Sequence, residues 1–369
     1  MKTIHADYNN CLVNLSNSIL KHYGQETHHS TLPALDKHLK DYKNIVLIVF
    51  DGFGSNLLAK YLGENSFLAK NKITDITSVF PATTTAATTS LITGRTPVEH
   101  CWLGWDTYIK SMDKIITMFR NYEKGFEENP FEQNICQNEF PFKTIMQTIN
   151  ESKNAEAYNV SPFGDTYFPE DRFGKMFGII KKLCRSDEKK FIYAYCSEPD
   201  HAMHRLGTKH AKILKIMKRI DKKVAKLCKK LEDTLVIITA DHGHIDVGEY
   251  IVLDDYPILK NMLIRETSSE PRATHFFVRE DMLDSFQKEF NNLFGNDFIL
   301  LSKQEVLDKK IYGDGIPHEK FVSCLGDYLA IAISDKAIRD THEQKMHKSM
   351  HAGITEDEVI VPLIINENK

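Results

Sequence analysis

NIVLIVFDGFG, residues 44–54, is the stretch on which the reading of this chain turns. Its first seven residues are a continuous β-branched and aromatic run with no polar alternation, the pattern of a strand buried on both faces. The run stops at Asp51-Gly52-Phe53-Gly54, a turn signal, and a helix is expected near 56–62. A strand covered on both faces belongs to a sheet that carries helices on either side. Three further segments repeat the theme. LVIITA (235–240) ends in Asp241-His242-Gly243, FIYAYCS (191–197) leads through Pro199 into Asp200, and DITSVF (75–80) precedes Pro81 and a threonine-rich, helix-like stretch closed by Gly94. Amphipathic helices are expected between them. Residues 8–24 place Leu12, Leu15, Ile19 and Leu20 at helical spacing before Gly24, and residues 208–231 alternate lysines with Ile213, Leu214, Ile216 and Ile220. The lysine-rich side reads as a solvated helix face.

Strands alternating with helices predict an α/β fold, a mostly parallel central sheet flanked by helices. In such sheets ligands bind at the carboxyl ends of the strands. Asp51, Thr84, Asp200 and Asp241 all fall just after an expected strand, so four separate segments deliver polar groups to one edge. Residues 1–254 and 316–369 are expected to form this core, with a small α+β cap inserted at 255–315. The cap reads as THFFV (274–278), a helix near 281–294 and DFILL (297–301), after which GDYLAIAIS (326–334) is expected to resume a core strand. Residues 95–165 read as loops and short helices over the site. No internal repeat or low-complexity segment appears.

A net charge of −4 on 369 residues gives no global reason to expect a nucleic-acid polymer or an anionic membrane as partner. The longest uninterrupted apolar segment, 45–50, is far too short to span a bilayer, and MKTIHADYNN lacks the apolar run of a leader. Seven cysteines, an odd number without CxxC spacing, point to reduced thiols and a cytoplasmic setting.

The histidines carry more information, because several stand beside aspartates. Asp200 and His204 are four apart, on one face of a helical turn, and both can reach one cation. Asp241-His242-Gly243 sets a carboxylate and an imidazole together at a strand end. Asp51 is a third strand-end carboxylate, and His351-Ala352-Gly353 supplies another imidazole near the end of the chain. Together these give three carboxylates and three histidines, enough for two divalent cations. Imidazole with carboxylate suits zinc, or manganese, better than calcium. Two cations set +4 against −3, so the site attracts a phosphate anion, and a hydroxyl there loses its proton near neutral pH. Residues 81–94, PATTTAATTSLITG, are the source of that hydroxyl, at a helix N-terminus that favours phosphate. Spacing alone does not choose among the threonines.

With those residues in view, the chain resembles the alkaline phosphatase superfamily, and more closely its nucleotide pyrophosphatase/phosphodiesterase-like branch. The resemblance rests on the Asp51-Gly52 strand end, VFPATTTAATTSLITG, SEPDHAMH, ITADHGH and HAGITEDEVIVPLI, in order and over nearly the whole chain. It implies an αβα sandwich and makes Thr84 the nucleophile. It implies Asp51, Thr84, Asp241 and His242 around one metal, and Asp200, His204 and His351 around the other. The implied reaction is a double displacement. Thr84 attacks, the alcohol departs, and water cleaves the phospho-threonine between two cations that clamp the oxygens on either side of phosphorus. The expected activity is hydrolysis of phosphodiester or nucleotide pyrophosphate bonds in a small phosphorylated substrate. Phosphomonoesterase, phosphonate hydrolase and phosphomutase action at the same site are the alternatives, and a non-catalytic platform is disfavoured because every expected ligand is present. Sulfatases of the superfamily need a CxPxR-like motif, which this chain lacks.

One motif departs from the branch, which places Phe-Pro-Asn-His after the nucleophile, with the asparagine on a phosphate oxygen. Here Thr85, Ala86, Ala87 and Thr88 stand there, and Ala87 has no donor. A backbone N–H, Thr88 or a group from the cap is the expected substitute. Trp102, Trp105 and Tyr108 are candidate stacking surfaces for a planar substrate group, Arg272 and His275 candidate phosphate contacts, and His244 and Asp246 candidate supports behind the ligands.

Overall fold

The computed structural model describes residues 1–162 and 173–368. The last three residues of the 95–165 stretch lie outside the described residues. A six-stranded sheet forms the core, in the order Lys72–Thr77, Ile360–Asn368, Thr234–Thr239, Asn44–Phe50, Lys190–Cys196, Glu156–Val160. The last four run parallel, while Ile360–Asn368 is antiparallel to both its neighbours. All seven residues of Asn44–Phe50 are buried, as an unbroken apolar run requires.

Helices cover both faces of this sheet. Ile45 pairs with Phe191 and Phe50 with Cys196, five residues on, so Phe191 and Phe50 point to opposite faces. Tyr23, which follows helix Leu12–His22, packs on Phe191, whereas Phe177 of helix Phe173–Leu183 packs edge-on to Phe50. On helix Ala211–Cys228, Ile213, Met217, Ile220, Val224 and Leu227 are buried and the lysines face outward, the solvated face expected. No described helix is long and apolar enough to cross a membrane.

A second, seven-stranded antiparallel sheet runs in the order Phe298–Ser302, Tyr328–Ala332, Ala273–Phe276, Ser268–Glu270, Asp106–Ile109, Lys114–Thr117, Tyr122–Glu123. Helix Leu283–Phe294 covers it through Phe286, Phe290 and Phe294. The expected strand–helix–strand piece between 273 and 302 is there. Tyr328–Ala332, however, does not resume the core. It pairs with Ala273–Phe276 and Phe298–Ser302, and the strand that completes the core is Ile360–Asn368. A strand buried along its whole length carries no periodic clue to which of two sheets it joins. Residues 106–123, part of the stretch read as loops and short helices, form three short strands of the same sheet. That sheet therefore draws strands from both sides of the 255–315 segment.

Candidate two-metal active site

The parallel register brings the strand ends together. Phe50 is level with Cys196 and Val49 with Thr239, so Asp51, Ser197 and Asp241 leave the sheet at one edge. Gly52 follows Asp51 at φ +71°, and a Cβ there would meet the Cβ of Asp200 at 3.0 Å. That is the close approach only glycine permits. Asp200 opens helix Asp200–Leu206 and donates its N–H to the Asp51 carbonyl at 3.0 Å. One turn later, His204 Nδ1 lies 2.8 Å from the Ser349 carbonyl, which turns Nε2 toward Asp200 Oδ1 at 3.2 Å.

His242 is held the same way. Its Nδ1 lies 2.9 Å from the Gly243 carbonyl, and its Nε2 faces Thr84 Oγ1 at 3.1 Å and Asp51 Oδ1 at 3.3 Å. An Nδ1–H donated to a carbonyl leaves Nε2 as the lone-pair nitrogen, the tautomer a metal needs. Asp241 Oδ1 accepts the N–H groups of Gly52 and His242, and Oδ2 lies 3.7 Å from His242 Nε2. Gly243 packs so tightly that a Cβ would fall 2.0 Å from the Asp357 carbonyl oxygen. The His351 ring stacks on His242 at 3.8 Å, with Nε2 3.9 Å from Asp200 Oδ1.

These groups fall into two constellations whose ligand atoms converge within 4.8 Å: Asp51, Asp200 and His242, and Asp200, His204, His244 and His351. Asp200 belongs to both. The partition differs from the one the resemblance implies in three respects: Asp200 is shared, Asp241 stands beside the first group rather than within it, and His244 joins the second. The site fits divalent cations on its own evidence. Asp51 Oδ1, Asp241 Oδ2 and His351 Nδ1 are buried polar atoms with no hydrogen-bond partner among the described residues, which is costly unless something else satisfies them. Burial, then Asp200 and Asp241, push the Asp51 carboxyl well above the usual range, and burial likewise raises Asp241. Burial would raise Asp200 too, but His204 and His244 outweigh it and hold Asp200 well below. Three buried carboxylates crowded together form an environment that cations relieve.

His244 reaches closer than a supporting role requires, with Nε2 2.6 Å from Asp200 Oδ1. Its sequence signal is the His242-x-His244 spacing, since alternate residues of extended chain point the same way. Asp246 accepts the Thr208 N–H, just past the helix that carries Asp200 and His204.

Helix Thr84–Thr93 begins at the same edge, with Thr83 as N-cap. Threonine is a poor helix former, yet here the hydroxyls of Thr83, Thr88 and Thr93 find partners at hand. Thr88 donates to the Thr84 carbonyl and Thr93 to that of Thr89, both at 2.7 Å. Thr83 donates to Glu270 at 2.5 Å, and Thr85 is fully buried. Thr84 is the threonine whose hydroxyl the fold sets against a candidate metal ligand, at the positive end of a ten-residue helix.

A cavity of about 1140 Å³ opens over these groups. Thr88, Trp102, Trp105 and Glu270 line it. Trp105 is 36% exposed there, whereas Trp102 is buried, its Nε1 bonded to the Phe140 carbonyl and its ring fixed by Phe119 and Phe142. Trp102 thus packs the wall and offers little free face. Glu270, which carried no recognisable sequence signal, accepts Thr83 Oγ1 and the Trp105 N–H on one oxygen, and burial lifts its carboxyl to about 7. It ties the second sheet to the N-cap of the Thr84 helix.

Three expected contacts are not at the cavity. Tyr108 lies under Arg265, with its hydroxyl on Asp113. His275 is buried between the Tyr312 hydroxyl at 2.8 Å and the Gly326 N–H at 3.2 Å. Arg272 is completely buried and forms a two-pronged pair with Glu358 at 2.7 and 2.8 Å. Glu358 also accepts from Gly353 N, Thr355 N and Thr355 Oγ1, so the pair clamps the turn that follows His351. Arg272 therefore organises the site from beneath rather than holding substrate. Removing one partner strands a buried charge, so Arg272→Ala is expected to destabilise the fold by roughly 3–5 kcal/mol, read from urea unfolding. Burial alone would raise the Glu358 carboxyl, but Arg272 holds it below its usual range. Its contribution is present above the ordinary glutamate range and lost as pH falls, so the variant also loses that acid-side slope.

A family profile described as type I phosphodiesterase / nucleotide pyrophosphatase matches residues 45–292. Among solved structures, murine ectonucleotide pyrophosphatase / phosphodiesterase 5 superposes with a TM-score of 0.67 at 17% identity, covering 86% of this chain and 87% of that one. The human counterpart gives 0.67 at 17% identity over 87% of each chain. An inactive variant of the murine protein, with threonine replaced by alanine and AMP bound, gives 0.67 at 16% identity over 86% and 87%. No curated protein matches the chain by sequence.

Proposed function

Because the chain belongs to the type I phosphodiesterase / nucleotide pyrophosphatase family, enzymes that hydrolyse phosphoric esters, we propose that it cleaves phosphodiester or nucleotide pyrophosphate bonds by double displacement through Thr84. The observation that carries this reading is Thr84 Oγ1 at a helix N-terminus, 3.1 Å from His242 Nε2 and beside two constellations that share Asp200. Asp51, Asp200 and His242, with Asp241 alongside, would hold one divalent cation. Asp200, His204, His244 and His351 would hold the second. Zinc suits this nitrogen and oxygen set, with manganese the alternative. Bound there, the cations supply positive charge that favours loss of the hydroxyl proton and offsets charge on the phosphate.

The chain's own groups do the rest. Thr84 Oγ1 bonds to phosphorus as the alcohol or phosphate arm departs with the electron pair of the broken P–O bond. Water then attacks the phospho-threonine and restores the hydroxyl. The free N–H groups of the helix start face the phosphate and take the place of the side-chain donor that Ala87 cannot provide. Trp105, exposed on the cavity wall, offers a planar face to a base. The AMP complex of the murine relative supports a nucleotide arm. An odd number of cysteines, all of them buried, supports a reducing, cytoplasmic setting as part of the same proposal.

The test is a substrate panel on protein stripped of metal and reloaded with zinc or manganese. A chromogenic phosphodiester should turn over at least about tenfold better than the matching monoester or phosphonate, and only after reloading. A monoester preference would move the reading to phosphomonoesterase action.

A further inference from the structure

Among the described residues, the cavity holds a buried cation, Arg339, that has neither a carboxylate partner nor a task in the reaction. Arg339 ends strand Lys336–Arg339, is 8% exposed and lines the cavity. Its Nη1 donates to the Gln344 carbonyl at 2.7 Å, and its Nε has no hydrogen-bond partner among the described residues. Three other guanidinium and ammonium groups in this region are matched to carboxylates: Arg272 to Glu358, Arg265 to Asp113, and Lys124 to Asp340 at 2.6 Å. Asp340, the chain neighbour of Arg339, is thereby taken, and no described carboxylate lies within ion-pair distance of Arg339. What stands against it is the Tyr250 ring, 5.6 Å from the guanidinium carbon. Buried arginines are almost always paired, and their planar fork matches phosphate and carboxylate oxygens.

The position of Arg339 relates it to the chemistry. The Tyr250 hydroxyl donates to the His347 carbonyl at 2.9 Å, and the His347 ring lies 4.5 Å from that of His204. Arg339 thus stands two side chains from the second constellation, on the same cavity. Lys345 and Arg120, both exposed, line that cavity too. We propose that Arg339 forms an anion subsite that binds a second negatively charged group of the substrate, a phosphate or a carboxylate, while the reacting phosphate sits at Thr84. Substrates with such an arm are selected over those with a neutral arm, and cationic arms are repelled. The placement of the reacting phosphate rests on the hydrolytic reading; the subsite's preference for an anion does not.

Binding to the metal-loaded Thr84→Ala chain, measured by titration calorimetry, separates the two. ADP should bind about tenfold more tightly than AMP, or 3-phosphoglycerate more tightly than glycerol 3-phosphate by a similar factor. A gap confined to the first pair identifies phosphate as the group read, and one confined to the second identifies carboxylate. Arg339→Gln should close the gap while leaving AMP and glycerol 3-phosphate affinity and metal content unchanged, and Arg339→Lys should keep part of it. The subsite is overturned if the parent shows neither gap, if Arg339→Gln leaves the gap intact, or if it weakens all four ligands equally, as loss of a prop for the loop before His351 would. A wild-type chain that is inert on every ester, yet shows the gap and loses it with Arg339→Gln, sinks the Thr84 reaction and leaves the subsite standing.

Discussion

Replacing Thr84 by alanine is expected to lower turnover of a chromogenic phosphodiester by roughly 10³-fold or more, the scale on which loss of a nucleophile acts. Folding should be nearly untouched. Thr83, not Thr84, is the N-cap of the helix, and the Thr84 carbonyl that Thr88 uses survives the substitution. A change at a half-buried site with no cap or core role stays within about 0.5 kcal/mol. Metal content should also persist, because Asp51, Asp200 and His242 keep their positions through bonds that do not involve Thr84. Thr84→Ser retains the hydroxyl and should retain part of the rate. Thr83→Ala is the informative control, since it removes the hydroxyl held by Glu270 but leaves Thr84 in place. If Thr84→Ala turned over normally while the Thr83 variant lost its activity, the nucleophile would have to be reassigned.

The choice of Thr84 also marks where sequence stopped being informative. The strand Asn44–Phe50 was legible because six apolar residues, 45–50, ending at Asp51-Gly52 permit little else than a strand buried on both faces. Asp200 and His204 were legible because four residues of helix put them on one face. Both signals are local. The identity of the reacting threonine is not local, since it depends on which hydroxyl meets His242, 158 positions along the chain. The same limit explains Arg272. An arginine beside Glu270 and Pro271 invites a phosphate reading, and only the fold reveals Glu358, 86 positions away, as its partner. Glu270 escaped for the converse reason: its partners, Thr83 and the Trp105 N–H, come from other segments. Tyr328–Ala332 shows the limit for elements, since a uniformly apolar strand fits either sheet.

Asp200 is where a single substitution should have the widest reach. Its Oδ1 lies 2.6 Å from His244 Nε2, 3.2 Å from His204 Nε2 and 3.9 Å from His351 Nε2, and the same carboxylate belongs to the Asp51–His242 group. A ligand shared by two constellations cannot be lost from one alone. Asp200→Ala is therefore expected to reduce both bound ions, whereas His204→Ala should reduce only the second. Emission spectrometry on the purified chains, which counts zinc or manganese per chain, reads the difference. Diester turnover should fall with the ions, by roughly 10⁴-fold or more if both the charge that activates the hydroxyl and the charge that meets the phosphate are lost. Thermal stability gives an independent readout. A ligand at about 1,000 times its dissociation constant stabilises the folded state by about 4 kcal/mol, so added zinc should raise the melting temperature of the parent markedly and that of the Asp200 variant little. In the metal-free state the variant loses its imidazole pairs but also sheds one of three crowded carboxylates, so its melting temperature should lie near that of the stripped parent. A variant that still carried two ions per chain and still rose in melting temperature with zinc would show that Asp200 serves one centre at most, with Asp241 completing the other.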